Sequence, residues 1–248
     1  MSPIETGALV LVAALLLTMP VFALVSRDKA IDADVARRPT TILLGFWVRD
    51  WLMWIIKPLE NGMVRAGVSP DLLNLAGAAF GAGAGLAFAF GELALGGWLV
   101  LLGGAADIFD GRIARARGIA SARGAFLDST LDRFAETFAF VGLVAFFAGT
   151  PWAAATAALA LGASMLVSYA RARGEALSID CRGGIMQRAE RLVLLGLAGI
   201  LDAPVAAWIG VFPGSLIAWA TAAIAVGALG TAVYRTLFIA KRLAERGD

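Results

Sequence analysis

The chain contains no histidine and a single cysteine, Cys181. Without imidazole it cannot build a Ser-His-Asp or Cys-His catalytic arrangement, a histidine zinc site or a His-ligated haem. One thiol cannot form an intrachain disulfide or hold an iron–sulfur cluster. Charge is also scarce. Only 16% of the 248 residues are Asp, Glu, Lys or Arg, whereas a soluble chain of this size needs about a quarter to cover its surface. Apolar residues fill the difference, at 60% hydrophobic with a mean hydropathy of +0.80. This is the composition of an integral, all-α membrane protein. Its chemistry must rest on carboxylates, basic side chains, hydroxyls and backbone, and no nucleic acid is expected as a partner.

Apolar runs long enough to cross a bilayer lie near Gly7–Val25, Leu72–Phe90, Leu93–Ala114, Phe126–Gly149, Pro151–Ala170, Leu192–Val211 and Ser215–Ala240. The sixth is the weakest, interrupted by Asp202 and Pro204. All Lys and Arg fall within Arg27–Arg65, Arg112–Arg133, Arg171–Arg191 and Arg235–Arg246, and the intervening loops carry none. With seven spans these four groups share one side. The positive-inside rule makes that side cytoplasmic, with the N-terminus outside and the C-terminus inside. The first span lacks a basic leader and is followed by Arg27 and Lys29, so it reads as a retained anchor, not a cleaved signal.

Between spans one and two, Leu44–Ala66 sets Trp47, Trp51, Trp54, Ile55 and Leu59 at helical spacing among Arg49, Asp50, Lys57 and Glu60. This pattern predicts an amphipathic helix along the cytoplasmic interface, with Trp at headgroup depth and a kink at Pro58. The expected division is 1–41 as anchor and linker and 42–248 as interfacial helix plus six-span core. In span two, Gly77, Gly81 and Gly85 form one small-residue stripe on which a neighbouring backbone can approach closely.

The densest chemistry lies in DIFDGRIARARGIASARGAFLDSTLD. Asp107 and Asp110 are three apart at the end of span three, and Asp128 and Asp132 are four apart at the start of span four. Each spacing places both carboxylates on one helix face. The short connection Gly118–Gly124 makes the two helices antiparallel neighbours, so the pairs can converge. Converging acids at membrane depth are costly and usually functional. Divalent cations relieve the repulsion, and all-oxygen ligation favours Mg²⁺, Mn²⁺ or Ca²⁺. Two such ions a few ångströms apart could clamp a phosphoryl group in transfer. A salt-bridge network with Arg112, Arg115, Arg117, Arg123 and Arg133 is the bland alternative. Gly111 leaves room for a ligand beside Asp110, and Gly124 permits close approach one turn before Asp128.

Asp107, Asp110, Gly111, Ala114, Arg115, Gly124, Asp128 and Asp132 match D-x2-D-G-x2-A-R-x8-G-x3-D-x3-D. This resembles the signature of the CDP-alcohol phosphotransferase family, and the likeness covers roughly Trp54–Leu243. VSPDLLN, SYARARGEA and GGIMQRAERL are most similar to the phosphatidylinositol-phosphate synthase branch. The resemblance implies a homodimeric enzyme in the cell (inner) membrane, open to the cytoplasm. Such an enzyme transfers the phosphatidyl group of CDP-diacylglycerol, or a similar CDP-lipid, to an alcohol and releases CMP. It also implies Asp107, Asp110, Asp128 and Asp132 as ligands of Mg²⁺ or Mn²⁺, two per site, with Asp132 as general base. Asp71, Asn74, Gly111, Arg115 and Ser121 correspond to the nucleotide-binding positions.

Arg171 and Arg173 end span five, and Arg188 and Arg191 begin span six. Clustered guanidinium groups suit a phosphorylated acceptor. Inositol phosphate is expected first, then glycerol 3-phosphate or serine. A transporter is the rival class, because GGAADIFDGRIARARG bears a likeness to a major-facilitator loop, but those chains need about twelve spans. A non-catalytic membrane scaffold is the other.

Overall fold

A computed structural model describes residues 3–26 and 45–247, and among them every regular element is a helix. There are eight: α1 (Pro3–Val25), α2 (Phe46–Arg65), α3 (Pro70–Ala89), α4 (Leu93–Ala116), α5 (Ala122–Phe146), α6 (Pro151–Ala176), α7 (Arg188–Ile209) and α8 (Ser215–Arg246). Pro70 and Pro151 open α3 and α6, where the missing N–H costs nothing and the fixed φ favours a helix. Ser121 caps α5, its Oγ accepting from the Gly124 amide at 3.1 Å.

Helices α3, α5, α6, α8, α7 and α4, in that order, pack into a closed ring of six. Its interior is filled by Phe88, Phe140, Leu143, Val167, Leu195, Ile217 and Ile224. In lipid, apolar surface alone gives helices little reason to associate, so close van der Waals contact must hold them together. The glycines allow that contact. A Cβ on Gly81 would collide with Ala135 of α5, and one on Gly85 with the Phe138 carbonyl. Gly142 meets Gly85 from the α5 side. Gly77 faces α4, where an added Cβ would sit 3.6 Å from the Gly103 carbonyl, an ordinary contact.

The stripe in α3 therefore serves two neighbours, and this corrects the expected pairing of α4 with α5. Those two helices touch little. Helix α3 stands between them, because its side-chain-free surface accepts a backbone on each flank. The short connection brings α4 and α5 together only at the end that carries the aspartates.

Five helices are long and apolar enough to cross a membrane: α3, α4, α6, α7 and α8. Of the other two expected spans, α1 contributes the apolar stretch Ala13–Val25. Helix α5 covers most of its expected segment but carries Asp128, Asp132, Arg133 and Glu136 within it. The sixth span is not weak. Helix α7 is the most apolar of the five and runs unbroken through Asp202 and Pro204. Asp202 is fully buried because it caps the next helix, accepting from the amides of Gly214 at 2.5 Å and Ile217 at 3.0 Å. It satisfies backbone donors that the start of α8 would otherwise leave without a partner.

The interfacial helix is present as α2, continuous through Pro58. Its tryptophans pack against α1. The Trp51 indole donates to Thr18 Oγ1 of α1 at 2.9 Å, and Phe22 of α1 packs between Trp47 and Trp54 with centroids 5.6 and 5.7 Å away. The expected boundary between residues 41 and 42 lies outside the described residues, as do Arg27, Lys29 and Leu44.

Gly81→Ala should lower the thermal midpoint in detergent by an amount equivalent to about 1–3 kcal/mol of overpacking. Gly62→Ala, on the open surface of α2, should be neutral or slightly stabilising. Equal midpoints for the two variants would contradict the α3–α5 contact.

Candidate active site

Asp107 and Asp110 arrive on the last turns of α4, and Asp128 and Asp132 on the first turns of α5. Oxygens of Asp107, Asp110 and Asp128 lie within 4.8 Å of one another. The Asp128 Oδ1 atom is buried and has no hydrogen-bond partner. A carboxylate oxygen is rarely left so, and the omission is explained if a cation completes the set. Three hard, anionic oxygens suit a divalent ion. Asp110 also accepts from the Gly111 amide at 2.5 Å and from the Asn74 side chain.

Asp132 lies outside that group of three. Arg188, at the start of α7, donates to Asp132 Oδ1 at 2.6 Å and to Asp107 Oδ2 at 2.8 Å, so one guanidinium bridges the two helices. Arg191 lies one turn on and is fully buried. Its Nε and Nη2 meet Glu136 at 2.6 and 3.0 Å, and its Nη1 donates to the Met186 carbonyl at 3.2 Å. Arg133 approaches the same Glu136 at 3.8 Å. Below the carboxylates is a cavity of about 30 Å³, room for a water or two. Asn74, Asp107, Asp132, Glu136, Arg188 and Arg191 line its polar part, and Phe140 and Leu195 its apolar part.

The other expected site residues are more dispersed. Asn74 is buried against Asp110, whereas Asp71, on the same first turn of α3, is half exposed and pairs with Arg123 at 2.7 Å. The Arg115 guanidinium folds back over Gly111, 3.1 Å from where a Cβ would sit, and occupies the space that glycine leaves. Ser121 is exposed and engaged as the α5 cap. Arg171 is exposed and bonded to Glu175 at 2.8 Å, and Arg173 is exposed near the end of α6. The structure thus brings Arg188 onto the aspartates, holds Arg191 on Glu136 in the lining of the same cavity, and sets Arg171 and Arg173 on the surface.

Sequence reasoning passed over two residues that shape this site. Glu136 continues the i, i+4 series from Asp128 and Asp132, and that spacing was the available signal. Arg235 of α8 is buried, donating to the carbonyls of Gly183 and Val167 at 2.9 Å each. Together with Thr231, which accepts from the Met186 amide at 3.1 Å, it pins the loop that leads into Arg188.

The sequence model of CDP-alcohol phosphatidyltransferase matches residues 67–227. A phosphatidylinositol phosphate synthase of Streptomyces avermitilis is 33% identical over 238 residues, covering 89% of this chain and 90% of that one. Among solved structures, the phosphatidylinositol phosphate synthase of Mycobacterium tuberculosis with CDP-DAG bound superposes with a TM-score of 0.65 at 28% identity. That match covers 75% of this chain and 93% of the other. The same enzyme in complex with manganese and citrate gives 0.64 at 29% identity, covering 73% and 87%.

Glu136→Ala should leave the Arg191 charge buried without its partner. The expected cost is about 3–5 kcal/mol, read as a large fall in the thermal midpoint in detergent. A shift no greater than that of a surface Glu→Ala variant would contradict the pairing.

Proposed function

The chain belongs to the CDP-alcohol phosphatidyltransferase family, and from that premise we propose that it transfers the phosphatidyl group of CDP-diacylglycerol to an inositol phosphate and releases CMP. The observation that carries the reading is the meeting of Asp107, Asp110 and Asp128, with an unpartnered Asp128 oxygen, beneath a guanidinium that also holds Asp132. The names of the relatives and the CDP-DAG and manganese in the similar structures support it.

Asp107, Asp110 and Asp128, with Asp132 as fourth donor, would hold Mg²⁺ or Mn²⁺, two ions per site. When bound, these ions supply positive charge that orients the pyrophosphate and offsets the charge developing on the departing CMP. Asp132 accepts the proton of the acceptor hydroxyl, whose oxygen attacks the β-phosphorus. The bond from that phosphorus to the bridging oxygen breaks, and the electron pair leaves with CMP. Asn74 steadies Asp110 through its amide, and with Asp71, Gly111, Arg115 and Ser121 forms the nucleotide side. Arg171, Arg173, Arg188 and Arg191 form the acceptor side. Arg188 is the nearest, since its two bonds reach both aspartate helices. The site opens to the cytoplasm of a cell whose inner membrane the helices span, with the N-terminus outside. The active species is a homodimer.

The test is CMP release by purified protein from CDP-diacylglycerol, with inositol phosphate, glycerol 3-phosphate and serine offered in parallel. Release should depend on inositol phosphate, stop on chelation and return with Mg²⁺ or Mn²⁺. Asp132→Asn should lower kcat by at least about a hundredfold while CDP-lipid binding persists, and Arg188→Ala should raise the acceptor KM. No CMP with any alcohol would overturn the reaction, and near-normal turnover of Asp132→Asn would overturn the base.

A further inference from the structure

Helix α2 touches the site at two places, each through a buried carboxylate. Near its C-terminal end, Glu60 is 5% exposed and accepts from Arg112 Nε at 2.7 Å. Arg112 is itself 7% exposed and directly follows Asp110 and Gly111 in α4. Lys57 adds a second contact to Glu60 at 3.4 Å. Near the other end, Arg49 Nη2 meets Glu190 Oε1 at 3.2 Å, and the Glu190 side chain has no exposed surface. Glu190 lies between Arg188 and Arg191 on the first turn of α7.

Glu60 lies eleven positions after Arg49, a rise of about 16 Å along a helix. One continuous helix therefore reaches from the α4 turn that carries Asp110 to the α7 turn that carries the guanidinium groups. A buried ion pair recovers in Coulomb energy roughly what it loses in desolvation, so it contributes more to register than to stability. Two such pairs at opposite ends of one helix fix distance and orientation together. The helix is held from behind by Phe22 and Thr18 of α1.

We propose that α2 is a two-point clamp on the active site. Through Arg112, Glu60 positions the Asp110–Gly111 end of α4, and through Glu190, Arg49 positions Arg188 and Arg191. The clamp rests on the reading of the site as a metal-dependent phosphatidyl transferase. It makes Glu60, Arg112, Arg49 and Glu190 positioning residues with separable effects, one on the metal side and one on the acceptor side.

The experiment uses the full chain in detergent and two readouts, Mn²⁺ binding followed by its EPR signal and the kinetics of CMP release. Glu60→Gln and Arg112→Gln should each weaken Mn²⁺ binding and lower kcat about tenfold, with the acceptor KM unchanged. Their double variant should be no worse than either alone, and Arg112→Lys should recover most of the loss. Arg49→Gln and Glu190→Gln should leave Mn²⁺ binding unchanged and raise the acceptor KM about tenfold. If Glu60→Gln does not fold, Glu60→Asp keeps the charge on a shorter arm and should show the same Mn²⁺ defect in smaller measure. Unaltered Mn²⁺ binding in the Glu60 and Arg112 variants would overturn the clamp. So would losses in all four variants that fall on both readouts alike and follow the drop in thermal midpoint. Wild-type protein that binds Mn²⁺ but releases no CMP would instead sink the reaction, and the Mn²⁺ titration would still decide the clamp.

Discussion

Like charges repel, and at one end of this bundle four aspartates from two helices crowd into a space with little water. Everything else in the site can be read as an answer to that repulsion. Arg188 offsets part of it by bridging Asp107 to Asp132. The Asn74 amide and the Gly111 N–H take up lone pairs of Asp110. What stays unanswered is Asp128 Oδ1, buried and without a hydrogen bond. A buried carboxylate oxygen without a partner is costly, and a divalent cation held with Asp107 and Asp110 would satisfy it. The same crowding leaves the Arg188 guanidinium desolvated and oriented between two carboxylates.

Holding four anions together requires a rigid frame, and in lipid that frame must come from packing. The glycines of α3 provide it by removing side chains on two flanks, so that α4 and α5 each lie against its backbone. The aspartate ends converge because the helices are fixed at their middles. At the opposite end of the bundle, Asp202 turns a buried carboxylate into a cap for α8. The contrast between Asp202 and Asp128 is instructive. Both are acids in a bundle, but the first has backbone donors for its oxygens and the second leaves one bare. Only the second calls for a ligand.

Much of this was legible in the chain itself. Spacings of three and four residues placed the carboxylates in pairs, and the D-x2-D-G signature carried the family. The six-helix core and interfacial helix followed from apolar runs and Trp periodicity. What was not legible depends on contacts between distant residues. The short Gly118–Gly124 connection pointed to α4 and α5 as neighbours, and nothing local indicates that α3 intervenes. Asp202 looked like an interruption because its partners lie 12 and 15 residues away. Glu60, Glu136 and Glu190 looked like ordinary charges because their guanidinium partners come from other helices. The pairing of Arg191 with Glu136 is likewise visible only in three dimensions.

The central claim is that Asp107, Asp110 and Asp128 form a divalent-cation site. Anomalous scattering from crystals of the protein grown with Mn²⁺ tests it most directly. The account predicts a manganese peak in contact with those three carboxylates, with Arg188 drawn aside or retained at its edge. A peak elsewhere, or none at a Mn²⁺ concentration that supports CMP release, would contradict it.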